Sequence, residues 1–282
     1  MKKLRLMVAI VLLGCAAAPA NAAIRAGFDT FTLAGNDDGS TGFLPFGFST
    51  DFYGTTYTGA YANNNGNITF TSPMSTFTPF GLTTPLGQAI IAPFFGDVDT
   101  RPSGSAKMTY GTGTVGGRSA VGATWDGVGV GYYSGHTDKL NKFQLVLVDR
   151  SDVAPGDFDI EFDYDQIQWE TGDVSGGSGG LGGFSARVGY SNGTGTPGTF
   201  FELAGSGVNG AFLDSSGGAN KLINHSLGAS IDRGTIDGQY VFRVRSGVVV
   251  AEVPEPTSLI VWSLLGLTIS GAGWWRRRKL TA

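Results

Sequence analysis

The sequence predicts an all-β domain of antiparallel, sandwich-like architecture, flanked by an N-terminal signal peptide and a C-terminal transmembrane helix. Three observations predict it. Apolar and polar residues alternate with period two in several short runs, most clearly where Phe158, Ile160, Phe162 and Tyr164 interleave with Asp157, Asp159, Glu161, Asp163 and Asp165. Glycine is abundant, 46 of 282 residues, and it clusters with asparagine between those runs as turns do. No amphipathic helix of ordinary length stands ahead of the C-terminal apolar segment.

The chain divides into three parts. Lys2, Lys3 and Arg5 precede an apolar run over 6–13, and Ala20-Asn21-Ala22 offers small residues where a signal peptidase reads them, so 1–22 is expected to be removed before Ala23. A rival reading makes Leu12-Leu13-Gly14-Cys15 a lipobox with Cys15 lipidated. Residues 23–250 form the body. At the other end, 259–275 carries no charge and would span about 26 Å, slightly short of the ~30 Å hydrocarbon layer but workable as a crossing. The basic tail Arg276-Arg277-Arg278-Lys279 fixes that end as cytoplasmic, so the body faces away from the cytoplasm.

Between Ala23 and Val253 there are 12 basic and 22 acidic residues, a net charge of −10. Such a body repels phosphate backbones, which excludes nucleic acid as a partner and leaves cations as suitable ones. The single cysteine, Cys15, falls in the export signal, so an exported mature form holds no disulfide.

Within the body, residues 57–62 and 67–70 read as strands joined by a hairpin at Asn63-Asn64-Asn65-Gly66. Gly111, Gly113 and Gly116 fit a dinucleotide fingerprint only formally. The segment 119–128 that follows reads as a strand, which makes the motif a glycine hairpin. Phe143, Leu145 and Leu147 mark another strand, as do Tyr240, Phe242 and Val244. The glycine-rich run 172–183 is expected to be a flexible loop inside one domain.

Two resemblances rest on particular residues. Val253-Pro254-Glu255-Pro256, followed by the apolar span and the basic tail, resembles the PEP-CTERM sorting signal (251–282) of Gram-negative bacteria that make exopolysaccharide. That resemblance implies recognition of Pro254, Glu255 and Pro256 by exosortase, a membrane transpeptidase, and an inner-membrane-tethered intermediate. In the body, Asn65-Gly66-Asn67-Ile68-Thr69-Phe70, the stretch Ile90-Ile91-Ala92-Pro93-Phe94-Phe95-Gly96-Asp97-Val98-Asp99-Thr100-Arg101, Ala123-Thr124-Trp125, Ile167-Gln168-Trp169-Glu170 and Ala186-Arg187-Val188-Gly189-Tyr190 resemble, in order, the nidogen-like (NIDO) domain. The resemblance implies a non-catalytic extracellular module of proteins that adhere to or organise matrix. A carbohydrate-binding module for exopolysaccharide and a glycan-acting hydrolase are the alternatives.

Candidate chemistry is sparse. Gly189-Tyr190-Ser191-Asn192-Gly193 fits a nucleophile elbow, with Asp214 and His225 following in hydrolase order, but 192–198 forms a turn where the elbow needs a helix. Asp159 and Glu161, about 6.7 Å apart on one strand, have the spacing of an inverting glycosidase pair, yet their ladder reads as a uniformly solvated outer face. Two acidic clusters offer hard oxygen ligands for calcium: Asp37 and Asp38 on a tight turn, and Asp97 and Asp99 on one face of a strand. An Asx turn or a strand-end hydrogen bond is the plainer explanation of each. His136 and His225 have no partners at metal-ligand spacing, and Trp125 and Trp169 are expected in the core rather than as sugar platforms.

Overall fold

The structure, a computed structural model, describes residues 23–130 and 137–250. The expected signal-peptide positions Ala20 and Ala22, His136, the motif Pro254-Glu255-Pro256 and the span 259–275 lie outside the described residues. Among those described, no helix is long and apolar enough to cross a membrane, and the one helical element is a 3-10 turn, Leu222–Asn224.

Among the described residues two large antiparallel sheets form the body, as the alternation predicts, beside one small two-stranded hairpin. The larger contains β1 (Phe31–Thr32), β6 (Val98–Asp99), β7 (Thr109–Val115), β8 (Arg118–Val130), β9 (Asn141–Asp149), β10 (Phe158–Gln166), β15 (Gln239–Arg245) and β16 (Val248–Val250). Its order is β1-β7-β8-β9-β10-β15-β16, with β6 paired to the far end of β8. The smaller sheet runs β14-β13-β5-β4-β3-β2, from β2 (Leu44–Phe52), β3 (Thr55–Asn63), β4 (Asn67–Thr69), β5 (Ile90–Phe95), β13 (Arg187–Ser191) and β14 (Phe200–Glu202). The glycines at 111, 113 and 116 lie in and after β7, which turns at Gly116-Gly117 directly into β8, so they form a hairpin.

One apolar core joins the two sheets in a sandwich-like arrangement. Phe158, Ile160, Phe162 and Tyr164 of β10 meet Phe52, Ile68, Phe94 and Tyr190 from the smaller sheet. Trp125 and Trp169 are fully buried. The first stacks on Phe143 with ring centroids 4.9 Å apart, and both indole N–H groups donate to backbone carbonyls, of Asn64 at 2.8 Å and Val128 at 3.2 Å. Strand β5 is buried along its whole length because the loop before it lays Leu82, Phe80 and Met74 on its outer side, over Ile90, Ala92 and Phe95. A continuous apolar run is the pattern such two-sided burial requires.

The outer face of the larger sheet departs from the expectation of solvation. Residues 23–30 form a strap across it. Gln144 on β9 exchanges 2.9 Å hydrogen bonds with the N–H and carbonyl of Arg25, and Phe28 packs with Val115, Ala120, Val146 and Val148. A Cβ at Gly122 would lie 2.7 Å from the Phe28 ring, so β8 needs glycine there for the strap to dock. Along that face Asp157, Asp159, Glu161 and Asp163 are buried, Glu161 and Asp163 against the strap and the loop at 229–235. The arginines explain it: Arg25 and Arg233 clamp Glu161, Arg233 reaches Asp163 at 3.2 Å, and Arg150 and Arg245 reach Asp159 at 2.8 and 2.6 Å. Gln239 adds amide donors to Glu161 and Asp163 at 3.0 and 3.1 Å. Burial, and then the neighbouring Glu161, push the Asp163 carboxyl well up, against the pull of Arg233 and Gln239. Only Asp165 keeps the expected exposure, paired with Lys142 at 3.2 Å.

A second departure concerns the glycine-rich run. It folds into a small hairpin, β11 (Gly177–Ser178) with β12 (Leu181–Gly182), and the Gly180 carbonyl accepts from the N–H groups of Glu170 and Thr171 at 2.8 and 3.0 Å. Ser175 is buried within it. Glycine here supplies positive φ, at Gly180 for instance, and the backbone is tied down rather than left as a linker.

Candidate functional site

The chemistry of the fold gathers at the β3–β4 hairpin. Its tip, Asn63 to Gly66, is buried rather than solvent-facing, and its three asparagine side chains act as clamps between segments distant in sequence. Asn64 Nδ2 donates to the carbonyls of Asp37, at 2.7 Å, and Val98, at 2.5 Å, while Thr100 Oγ1 donates to Asn64 Oδ1 at 3.2 Å. Asn65 Nδ2 donates to Asp38 Oδ1, and Asn65 Oδ1 accepts from Val98 N–H, both at 2.9 Å. Asn63 Nδ2 bonds Asn67 and Thr69 at 2.7 and 3.0 Å, holding the hairpin legs.

These clamps bring the two acidic clusters of the sequence together as one. Carboxylate oxygens of Asp37, Asp38 and Asp97 all lie within 4.8 Å of one another. Asp37 and Asp38 sit on the expected Asx turn, closed by Gly39 N–H donating to Asn36 Oδ1 at 2.7 Å. Asp97 and Asp99, expected on one strand face, are separated in role. Only Asp99 lies in β6, and Arg101 engages both of its oxygens, at 2.9 and 2.8 Å. Asp97 lies in the connector before β6, because Gly96 and Asp97 leave the β5 ladder, and it faces the turn. Burial, then the charges of Asp37, Asp38 and Asp99, push the Asp97 carboxyl up to about 7 against the pull of Arg101. The Asp37 carboxyl is also raised, by burial first and then by Asp99.

The sequence reading missed Asn63, Asn64 and Asn65 as side-chain clamps, since a run of asparagine before glycine reads as turn chemistry and nothing in the spacing reports a buried tip. Replacing Asn64 with alanine removes the side-chain donor to the Val98 and Asp37 carbonyls, while the Thr100 hydroxyl keeps its 2.9 Å bond to the Asn36 carbonyl. It should cost about 3 kcal/mol in a urea unfolding titration, where a surface turn asparagine would cost a few tenths.

The other candidates stay apart. Ser191 is buried in β13, its Oγ accepting from Gly193 N–H at 3.1 Å, and Asp214 is engaged by Ile167 N–H at 3.0 Å, so no elbow turns the serine outward. Asp159 and Glu161, the acid and base of the hydrolase alternative, are covered by arginines. His225 is exposed after the 3-10 turn. Among the described residues, two exposed phenylalanines each pair with a half-buried tyrosine: Phe43 with Tyr61, centroids 5.8 Å apart, and Phe31 with Tyr110 at 5.5 Å.

Comparison with known proteins agrees with this architecture. The nidogen-like domain family matches residues 58–246, from the middle of β3 to the turn after β15. The chain belongs to the nidogen-like domain family. Alpha-tectorin of Mus musculus is 34% identical over 191 residues, 60% of this chain and 8% of that protein, and alpha-tectorin of Gallus gallus is 33% identical over 190 residues, 60% and 9%. Nidogen of Drosophila melanogaster is 30% identical over 192 residues, 58% of this chain and 13% of that protein. The match thus spans a small part of the length of these relatives. No solved structure matches the chain. The nidogen-like domain includes the asparagine hairpin and Asp97, whereas the Asp37-Asp38 turn and the strap precede the matched residues.

Proposed function

We propose that this protein is exported, released from its signal peptide before Ala23, tethered in the inner membrane by 259–275, and then sorted through Pro254, Glu255 and Pro256 by an exosortase-type transpeptidase. Its destination is the cell surface or exopolysaccharide matrix, where the nidogen-like domain serves adhesion or matrix structure. The observation that carries this reading is membership of the nidogen-like family, a module of extracellular proteins by the resemblance above. Further support comes from the packing. The gap between the sheets, lined by Leu44, Phe46, Ile68, Val121 and Leu145, is an apolar void of about 10 Å³, no larger than one water needs. That gap is too small for a small-molecule ligand, which leaves the surface of the domain to meet a partner. Ala23 is 2% exposed and its carbonyl accepts from Arg233, so the residue that would follow the cleavage site opens the docked strap.

A second reading, binding of exopolysaccharide as a carbohydrate-binding module, is favoured by the ring pair Phe43–Tyr61, with Phe43 52% exposed. Saturable polysaccharide binding lost in Phe43→Ala would favour it.

The sorting reading is tested by the intact mass and location of the mature protein, in the natural sequence and with alanines at Pro254, Glu255 and Pro256. Loss of the residues beyond the motif together with release from the inner membrane, both abolished by the replacement, is expected. An uncut chain held in the inner membrane in both forms would sink it.

A further inference from the structure

Asp97 is the one carboxylate of its cluster that the fold buries and leaves alone. It is 4% exposed, yet among the described residues it accepts no hydrogen bond and joins no ion pair, whereas Asp99 two positions on is held by Arg101 through both oxygens. Its carboxylate is held close against the backbone of the glycine loop, where a Cβ at Gly172 would lie 2.1 Å from Asp97 Oδ2. A carboxylate left with a sliver of solvent contact and no hydrogen-bond partner has lost most of its hydration, a cost that a bound cation offsets. What faces Asp97 is more negative charge. Asp37 gives one oxygen to Arg101 at 2.9 Å and Asp38 gives one to Asn65 at 2.9 Å, so each keeps its second oxygen uncommitted.

We infer that Asp37, Asp38 and Asp97 form a calcium site that ties the N-terminal turn to the connector between β5 and β6. Oxygens on a common calcium ion, at about 2.3–2.6 Å from it, stand no more than about 5 Å apart, and these three meet that limit. The donors are all hard carboxylate oxygens, which select calcium over zinc or copper. Asn64 and Asn65 set the geometry, because each bonds both the Asp37-Asp38 turn and Val98, the neighbour of Asp97. Arg101, with a 56% exposed side chain, is free to swing from Asp37 when the ion enters while keeping Asp99. Water completes the coordination shell from the solvent side of the half-buried turn. The site is independent of how the C-terminus is processed.

The test uses the full chain in detergent, stripped with EGTA and dialysed against radiolabelled calcium, with thermal unfolding followed in parallel. About one calcium per chain is expected, with a Tm that climbs as calcium is added, because an ion that binds only the folded state stabilises it by mass action. Asp97→Asn keeps the side-chain shape and should weaken binding at least about tenfold and flatten the Tm response. In EGTA the same variant should melt no lower than the natural sequence, since it removes a buried unpaired charge. Asp38→Asn, on the half-buried turn, should weaken binding alike and serves if Asp97→Asn does not fold. Absence of calcium binding in the natural sequence, or binding and Tm response that survive both substitutions, would overturn the site.

Discussion

Gly66→Ala is expected to abolish folding or to lower the Tm by more than about 10 °C. Two causes add. Gly66 has φ of +75°, a left-handed conformation that costs an L residue roughly 1–2 kcal/mol. More important, the added Cβ would lie 1.8 Å from the Phe94 carbonyl oxygen and 3.3 Å from the Phe143 ring, and the first of these is backbone that cannot give way. The contact exists because the hairpin tip runs under β5, where Phe94 N–H donates to the Gly66 carbonyl at 3.2 Å. Gly117→Ala is the control. Its φ is +77°, nothing lies within 4 Å of its Cβ position, and it should cost about 1 kcal/mol from backbone strain alone. Equal Tm losses for the two alanines would show that the buried tip does not constrain the fold as described.

Arg25→Met should lower stability by about 3 kcal/mol, read from the urea midpoint, because it leaves Glu161, 2% exposed, short of the guanidinium that covers it. The loss stays at the lower end of the range for a broken buried pair, since Arg233 and Gln239 still reach Glu161 at 3.0 Å. Adding Glu161→Gln should restore part of it, as a coupled pair requires and a surface arginine would not. The same arginine shapes the acid limb. Its hydrogen bond holds Asp232 down at about 2, below the ordinary 3.8. A carboxylate depressed in the folded state contributes stability that is present above its ordinary value and lost as pH falls through the folded one. The gap between the natural sequence and Arg25→Met should therefore narrow between pH 4 and 2.

These effects mark where sequence reasoning reached and where it stopped. Inward alternation on β10 and β15, the hairpins at 63–66 and 116–117, and the buried tryptophans were legible, because side-chain period and turn chemistry are local properties of the chain. The acidic ladder on β10 was legible as a face but not as a buried one. Whether that face meets water depends on a strap more than 130 residues earlier in the chain and on arginines from three other segments. The glycine-rich run was read as flexible for the same reason: composition reports what a backbone is able to do, while the bonds from Glu170 and Thr171 to Gly180 fix what it does.

By itself, then, the sequence determined an all-β antiparallel body of the nidogen-like family and the chemistry of its acidic residues. Only the tertiary structure decided which carboxylates meet arginine and which meet each other. Asp97 and Asp99 are two residues apart and chemically identical. One is neutralised by a guanidinium, and the other is carried by the Asn64 and Asn65 clamps to a turn sixty residues away, because charge pairing acts through space and local sequence encodes only direction along the chain.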